Sequence, residues 1–178
     1  MDKLWAPWRI NYINRKPKIK GCIFCRAKKS KFSDYIIFKT TKSICLLNIY
    51  PYNNGHLLVS PLRHIAKIEL LSDEECLDMF KCLKRAKDLL QKVLKPHGYN
   101  LGFNLGSNAG AGITGHLHLH IVPRWSGDTN FMPVIGNAKV ISQSLDELSK
   151  RLINADNSSQ KKLKAALTAR RQRSRSDA

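Results

Sequence analysis

The chain of 178 residues carries 31 lysines and arginines against 13 aspartates and glutamates, which gives a formal net charge of +18. This length suits one globular domain with a basic extension, and the hydrophobic fraction of 43% can supply its core. The composition excludes collagen-like proteins, mucin-like proteins and disulfide frameworks, and no apolar run approaches the roughly 18 residues that cross a bilayer. The excess of positive charge predicts an anionic substrate or partner.

The first residues and the cysteines predict a cytoplasmic protein. Residues 1–5 place an acid early and the sequence then continues polar and basic, without the roughly 7–15 apolar residues of a signal peptide. The five cysteines are an odd number, which in an unexported chain favours reduced thiols or metal ligands over structural disulfides.

The basic residues are concentrated at the two ends of the chain. They include Lys16, Lys18, Lys20, Arg26, Lys28, Lys29 and Lys31 near the start, and Lys161, Lys162, Lys164, Arg170, Arg171, Arg173 and Arg175 near the end. Two interpretations remain open: these ends contact polyanions such as nucleic acid, or they only keep the ends solvated.

Five short apolar segments, separated by polar or glycine-containing connections, predict β-strands. The segments are 35–38, 44–47, 56–59, 99–105 and 116–122. A glycine-rich loop from Gly106 to Gly115 connects the last two. Because the connections are short, the sequence favours antiparallel pairing over parallel pairing, which needs longer crossovers.

A long amphipathic helix is predicted between the third and fourth strands. Ser72 and Glu75 form a capping box at its start, and apolar residues then recur at helical spacing until Pro96 stops the pattern.

A second, short helix is predicted to begin at Ser144 and to end near Leu152. We therefore expect an α+β fold with an antiparallel sheet of about five strands, one long helix and one short helix. Residues 1–153 form the predicted domain, and residues 154–178 form a basic, flexible tail.

Three histidines alternate with apolar residues in the last predicted strand. In a strand, alternate side chains share a face, so His116, His118 and His120 are predicted to line one face at roughly 6–7 Å intervals. Aligned imidazoles can supply a nucleophile, a proton donor or a metal ligand near neutral pH. This face is the strongest candidate for a reaction centre or a metal site.

The alternation from His116 to Val122 resembles the signature of the histidine triad (HIT) family, over about residues 4 to 150. The resemblance implies a HIT-like fold and attack of His118 on the α-phosphate of a nucleotide. A covalent nucleotidyl-histidine would form and be resolved by water or phosphate. His120 would hydrogen-bond the α-phosphate or the bridging oxygen and assist the leaving group.

The same resemblance assigns nucleotide-binding positions. Asn48 matches a position that holds the ribose hydroxyls, and Asn104 one whose amide approaches the phosphates. Gly110 and Gly112 lie in the loop whose backbone N–H groups can face an anion. Many family members carry a glutamine and a serine or threonine just before the triad, whereas here only Thr114 offers a hydroxyl.

A second group of residues has the composition of a metal site. Cys22 and Cys25 have C-x-x-C spacing, and His64 and His116 complete a Cys₂His₂ set, for which Zn²⁺ in a closed, structural site is the expected metal. A zinc-binding subset of the family carries matching residues. The alternative, a redox C-x-x-C, lacks its usual βαβ context.

The remaining cysteines and histidines are expected to be structural. They are Cys45, Cys76, Cys82, His56 and His97.

The segments around Trp5 and Trp8 and at 123–133 look like those of bacterial diadenosine tetraphosphate phosphorylases. We therefore expect an enzyme that splits this dinucleotide with inorganic phosphate into ATP and ADP. The alternatives are a hydrolase of dinucleoside polyphosphates or of nucleoside phosphoramidates, and a nucleic-acid-binding protein that acts on adenylated ends. Family members are commonly homodimers, and Trp5 and Trp8 are expected in the core or in a dimer contact.

Overall fold

The computed structural model describes residues 21–29, 35–129, 135 and 140–176, with the backbone alone for residues 169–176. The expectations for Trp5 and Trp8 and for residues 130–133 therefore lie outside the described residues. So do the side chains of eight of the terminal basic residues: Lys16, Lys18, Lys20, Lys31, Arg170, Arg171, Arg173 and Arg175. Three α-helices and five strands are described: α1 (Ile23–Lys29), β1 (Ile36–Lys39), β2 (Ser43–Leu47), β3 (Leu57–Pro61), α2 (Asp73–Leu94), β4 (Gly98–Phe103), β5 (Leu119–Arg124) and α3 (Leu145–Ser176). Within these ranges, no helix combines the length and the apolar character that a membrane span requires.

The strands form one antiparallel sheet in the order β1-β2-β3-β5-β4, so the predicted α+β fold is confirmed. Short connections join β1, β2 and β3, and the chain returns after α2 so that β5 pairs with both β3 and β4. In this register His120 of β5 lies between Leu58 of β3 and Gly102 of β4. The sheet therefore carries the histidine segment near its centre.

Both faces of the sheet are covered at β2. Alternate residues of β2, Cys45 and Leu47, join the core beneath α2 and α3, whereas Ile44 and Leu46 join Phe24 and Ala27 of α1 on the opposite face. This alternation follows from the two-residue repeat of a strand, and it explains why every residue of β2 is buried. Leu119 and Ile121 of β5 belong to the α2 side, so the histidines between and before them belong to the α1 side.

The first turn of α2 has the capping box that the sequence predicts. The Ser72 side chain accepts from the Glu75 backbone N–H, and the Glu75 carboxylate accepts from the Ser72 backbone N–H. The helix ends at Leu94, followed by Lys95 in the left-handed region at φ 48° and then by Pro96.

The second predicted helix is not short. It begins close to the predicted residue, but α3 continues from Leu145 through Ser176 instead of ending near Leu152. No proline or glycine follows Gly136, so the sequence contains no strong helix stop. The proposed boundary between residues 153 and 154 thus falls inside a helix, and the separation of a domain from a tail stays a prediction.

Asp156 explains why the helix continues past that boundary. Its carboxylate is buried and forms a bidentate salt bridge with Arg85 of α2, in which Arg85 Nε lies 2.7 Å from Asp156 Oδ1. The guanidinium of Arg85 also lies 4.1 Å from the centre of the Phe38 ring. This cluster attaches α3 to α2 one turn beyond Leu152.

Candidate active site and metal centre

The histidine segment enters the sheet later than predicted. Ladder pairing of β5 begins at Leu119, so His116 and His118 precede it. The Leu117 N–H instead donates to the Ile65 carbonyl at 2.6 Å, and the Ser60 hydroxyl donates to the Leu117 carbonyl at 2.9 Å. All three triad histidines are buried, so the predicted clustering of their side chains survives this irregular start.

The hydrogen bonds of His118 define which nitrogen is free. Its Nδ1 lies 2.8 Å from the carbonyl oxygen of His116. Because a carbonyl oxygen only accepts, Nδ1 carries the proton, and the lone pair of the neutral ring is on Nε2. The ring lies 4.9 Å from the His120 ring and 5.2 Å from the Phe24 ring, centre to centre. His118 is thus a fixed imidazole with an available basic nitrogen.

His120 is oriented by a histidine that the sequence interpretation treated as structural. The backbone N–H of Tyr52 donates to His56 Nδ1 at 3.0 Å, so the proton of neutral His56 is on Nε2. That nitrogen lies 2.9 Å from His120 Nδ1, which must then accept, and the proton of His120 is on its own Nε2. His120 Nε2 is buried and has no hydrogen-bond partner among the described residues.

The pKa values of His56 and His120 agree with the neutral state of both imidazole rings. Burial lowers the pKa of His56 to about 3, with His120 and His118 adding to the shift. Burial also lowers the pKa of His120 to about 4, with a further contribution from His118. Both imidazoles are therefore uncharged near neutral pH, and His120 presents one N–H donor beside His118.

Asn48 lies in the β2–β3 connection and contacts the same histidine. Its amide nitrogen is 3.2 Å from His56 Nδ1, and its Oδ1 accepts from the Tyr50 N–H at 2.9 Å. The sequence could not distinguish His56 from a core histidine, because its role depends on residues that are distant in the chain.

Tyr52 connects two parts of the site. Its ring is nearly parallel to the His120 ring, at 8° and 5.5 Å between centres, and lies 4.6 Å from the His56 ring. Its hydroxyl accepts from the amide of Asn104 at 3.4 Å. The predicted phosphate-binding Asn104 is thereby held on the same side as the triad.

A cavity of about 350 Å³ opens next to His118. Its walls come from the segment after β3 and from the glycine-rich loop, and its lining includes Lys67, Asn104, Thr114 and His118. Of the predicted phosphate contacts, Asn104 and Thr114 lie on this wall, whereas Gly110 and Gly112 do not line it.

Gly110 has a positive φ of 86°, which few other residues adopt, and a Cβ placed there would lie 3.9 Å from Asn104 Nδ2. The glycine therefore shapes the loop next to this amide.

Four side chains converge at the opposite end of the histidine segment. The ligand atoms of Cys22, Cys25, His64 and His116 all lie within 4.8 Å of one another. Cys22 directly precedes α1 and Cys25 lies in its first turn, so this unpredicted short helix presents the C-x-x-C pair. His64 follows β3. The predicted ligand set is therefore assembled, and the cluster could hold a metal ion.

The hydrogen bonds around His116 fit a metal ligand. Its Nε2 lies 2.9 Å from the Pro61 carbonyl and so carries the proton, which leaves Nδ1 as the free donor atom. That Nδ1 lies 3.1 Å from Cys22 Sγ and 3.2 Å from His64 Nδ1. Cys25 Sγ lies 3.3 Å from the same His64 nitrogen. Two lone pairs and two sulfurs facing one point are the donor set of a tetrahedral site.

The segment that carries His64 is anchored to α2. Arg63 donates from Nε and Nη2 to the two carboxylate oxygens of Glu75, at 2.8 and 2.7 Å, and from Nη2 to the Leu70 carbonyl at 2.7 Å. The Arg63 guanidinium lowers the pKa of the Glu75 carboxyl to about 2, with the Ser72 N–H contributing. Glu75 therefore stabilises both the helix start and the segment that bears a ligand.

Cys45, Cys82 and His97 lie away from both sites. Cys45 and Cys82 are buried in the core beneath α2, and burial raises the pKa of Cys45 well above its usual range. His97 is paired with Ser126 at the end of β5, at 3.2 Å.

Comparisons with known proteins agree with this geometry. The family model of the HIT domain matches residues 29–127. The "AP-4-A phosphorylase" of Mycobacterium tuberculosis is 34% identical over 162 residues, which cover 86% of this chain and 83% of that protein. An adenosine 5′-monophosphoramidase of Schizosaccharomyces pombe is 36% identical over 104 residues, 58% of this chain and 74% of that protein.

A solved structure shows the same fold. The Zn-bound histidine triad family protein of Mycobacterium smegmatis superposes with a TM-score of 0.64 and 25% identity, covering 82% of this chain and 96% of that one.

Proposed function

This chain belongs to the histidine triad family, and from that membership we propose that it is a nucleotidyl transferase that cleaves dinucleoside polyphosphates. The proposed reaction splits diadenosine tetraphosphate with inorganic phosphate into ATP and ADP. One observation carries the proposal: a basic nitrogen on His118 lies beside a histidine whose buried N–H, on His120 Nε2, has no partner among the described residues. The similarity to the phosphorylase of M. tuberculosis favours this substrate.

The first half-reaction uses His118 Nε2 as the nucleophile. Its lone pair forms a bond to the α-phosphorus, and the bond from that phosphorus to the bridging oxygen breaks, so that ATP leaves and AMP stays on the histidine. The His120 N–H donates to the bridging or non-bridging oxygen that gains charge. In the second half-reaction a phosphate oxygen attacks the same phosphorus, which releases ADP and restores the His118 lone pair.

Substrate contacts are proposed from the matching family positions. Asn48 holds the ribose hydroxyls, and Asn104, Gly110, Gly112 and Thr114 contact the phosphates through side chains or backbone N–H groups. Support for this assignment comes from the cavity beside His118, which Asn104 and Thr114 line and to which Lys67 adds a cation.

We also propose that Cys22, Cys25, His64 and His116 hold a structural Zn²⁺. Two thiolates and two neutral imidazoles suit zinc, and four protein ligands leave no open position for chemistry. When bound, the ion would join α1 to the start of the histidine segment. The Zn-bound relative from M. smegmatis favours the assignment.

The finer expectations on assembly and location also stay proposals. We propose a cytoplasmic homodimer, for which the exposed edge strand β4, with Leu101 half-exposed, offers a contact. The exposed lysines Lys161, Lys162 and Lys164 of α3 are the described part of the candidate nucleic-acid contact.

The products formed with and without inorganic phosphate test the function. Diadenosine tetraphosphate should give ATP and ADP only when phosphate is present. Two ADP, or AMP and ATP, formed regardless of phosphate would instead make the protein a hydrolase. The similarity to a phosphoramidase favours adenosine phosphoramidate as the second substrate to try.

A further inference from the structure

We propose that Tyr52 is a positioning residue of the active site, which orients His120 with its ring and Asn104 with its hydroxyl. The inference rests on the proposed function, and it adds a third residue from the β2–β3 connection to the site, beside Asn48 and His56.

The ring of Tyr52 restricts the remaining freedom of His120. The hydrogen bond from His56 fixes one edge of the His120 imidazole, and this single bond leaves the ring free to tilt about it. The nearly parallel Tyr52 ring, offset at 5.5 Å, covers one face of the imidazole and opposes that tilt. The direction of the His120 Nε2–H bond is therefore set by an edge contact and a face contact together.

The hydroxyl of Tyr52 acts on the other side of the site. It accepts one of the two N–H bonds of the Asn104 amide, so the second N–H can face a phosphate oxygen. The tyrosine proton also stays available to donate to the same anion. Asn104 follows β4, whereas Tyr52 precedes β3, so this contact joins the segments on either side of β5 next to His120.

A packing role alone does not account for Tyr52. Its side chain keeps 52% of its surface exposed, yet its described ring contacts are to two site histidines. Large side chains placed for core packing are ordinarily buried. The position fits a residue that faces substrate while it holds the groups beneath it.

Two substitutions separate the ring from the hydroxyl. Tyr52→Phe keeps the stacked ring and removes the contact to Asn104, so KM should rise about fivefold, the value of one hydrogen bond, with kcat nearly unchanged. Tyr52→Leu removes both, so kcat should also fall, by about tenfold. Tyr99→Phe is the matched control, because its hydroxyl contacts Lys87 and Gln91 of α2, away from the site.

The measurements are steady-state kinetics with diadenosine tetraphosphate and phosphate, AMP binding by calorimetry, and thermal unfolding. A reduced kcat in Tyr52→Leu and a nearly normal kcat in Tyr52→Phe, with weaker AMP binding in both variants, would support the inference. Values of kcat, KM and AMP affinity within twofold of wild type in both variants would overturn it, as would equal losses of kcat in both. If the leucine variant does not fold, the KM and AMP affinity of the phenylalanine variant decide.

The same experiment keeps the two proposals apart. Failure of the wild-type protein to turn over the dinucleotide would overturn the proposed function, while the AMP affinities of the variants would still test Tyr52. A wild-type protein that neither turns over the dinucleotide nor binds AMP would overturn both.

Discussion

At the scale of single residues, the positions of protons determine what the triad can do. Carbonyl oxygens and backbone N–H groups cannot exchange donor and acceptor roles, so the contacts at His118 and His56 assign every proton in the site. The result is one nitrogen on His118 that can act as a nucleophile and one N–H donor on His120.

Replacing His118 with alanine should abolish turnover, because the substitution removes the only proposed nucleophile. We expect kcat to fall by at least about a thousandfold with the fold retained. The measurement is product formation together with a search for nucleotidyl-protein by mass spectrometry. Substantial turnover by this variant would refute the covalent mechanism.

Replacing His56 with leucine should lower kcat by roughly ten- to a hundredfold, because His120 Nδ1 would lose its donor and the ring could adopt the other tautomer. His97→Leu is the matched control, since His97 lies at the end of β5 and contacts Ser126. An equal loss in the two variants would argue against the role of His56 in orienting His120.

His56 and His120 should make the stability of the fold depend on pH. Their pKa values in the folded protein are about 3 and about 4, below the ordinary value of 6.5, so the unfolded chain binds more protons in acid. The free energy of unfolding should therefore fall as the pH drops from about 6.5 towards 4, by at most about 1.4 kcal/mol per pH unit for each histidine. Denaturant unfolding at several pH values measures this slope, and the His56→Leu variant should show a smaller one.

At the scale of elements, Glu75 couples the start of α2 to the metal-ligand segment. Glu75→Gln should weaken both the pair with Arg63 and the capping box, and we expect a loss of about 1–2 kcal/mol in stability together with a lower zinc content. Glu74→Gln makes the same charge change in the same helical turn, where the carboxylate is 76% exposed and pairs with Lys42. Zinc analysis and thermal unfolding of both variants test this, and identical behaviour would contradict the coupling.

The elements also show what the sequence could and could not predict. The five strands, the capping box and the four clustered ligands were predictable, because each depends on a local pattern or on residue types with few alternative uses. The helix α1 around the C-x-x-C pair was missed, since seven residues make only about two helical turns and are too few to show a helical repeat of apolar positions. His56 and Tyr52 were missed because their contacts join residues more than fifty positions apart.

At the scale of the whole molecule, the salt bridge between Asp156 and Arg85 shows that α3 packs against α2 at least as far as residue 156. Truncation after Asn154 removes Asp156 and leaves Arg85 without its partner, so stability should fall by about 2–3 kcal/mol. Truncation after Gln160 keeps this pair and also the contact between Lys92 and Ser159, so stability and nucleotide turnover should stay close to those of the full chain.

Thermal unfolding and turnover of the two truncated proteins make the comparison, with binding to a DNA or RNA oligonucleotide as the third measurement. Loss of polyanion binding with unchanged turnover in the longer protein would make the basic end accessory. A loss of turnover in that protein would instead place residues beyond 160 in the enzyme.

The spacing of the metal ligands along the chain also favours a late place for the cluster in the order of folding. Cys22 and His116 are 94 positions apart, whereas connections of three and nine residues join β1 to β2 and β2 to β3. Contacts between distant positions close later than local ones, because more chain entropy must be lost before they form. The hairpins and α2 can therefore assemble without the cluster, and an ion would be captured by a nearly complete fold. In this protein an ion would bind at the end of folding and stabilise a chain that is already largely folded. The small zinc domains differ, because they are unfolded until the ion binds.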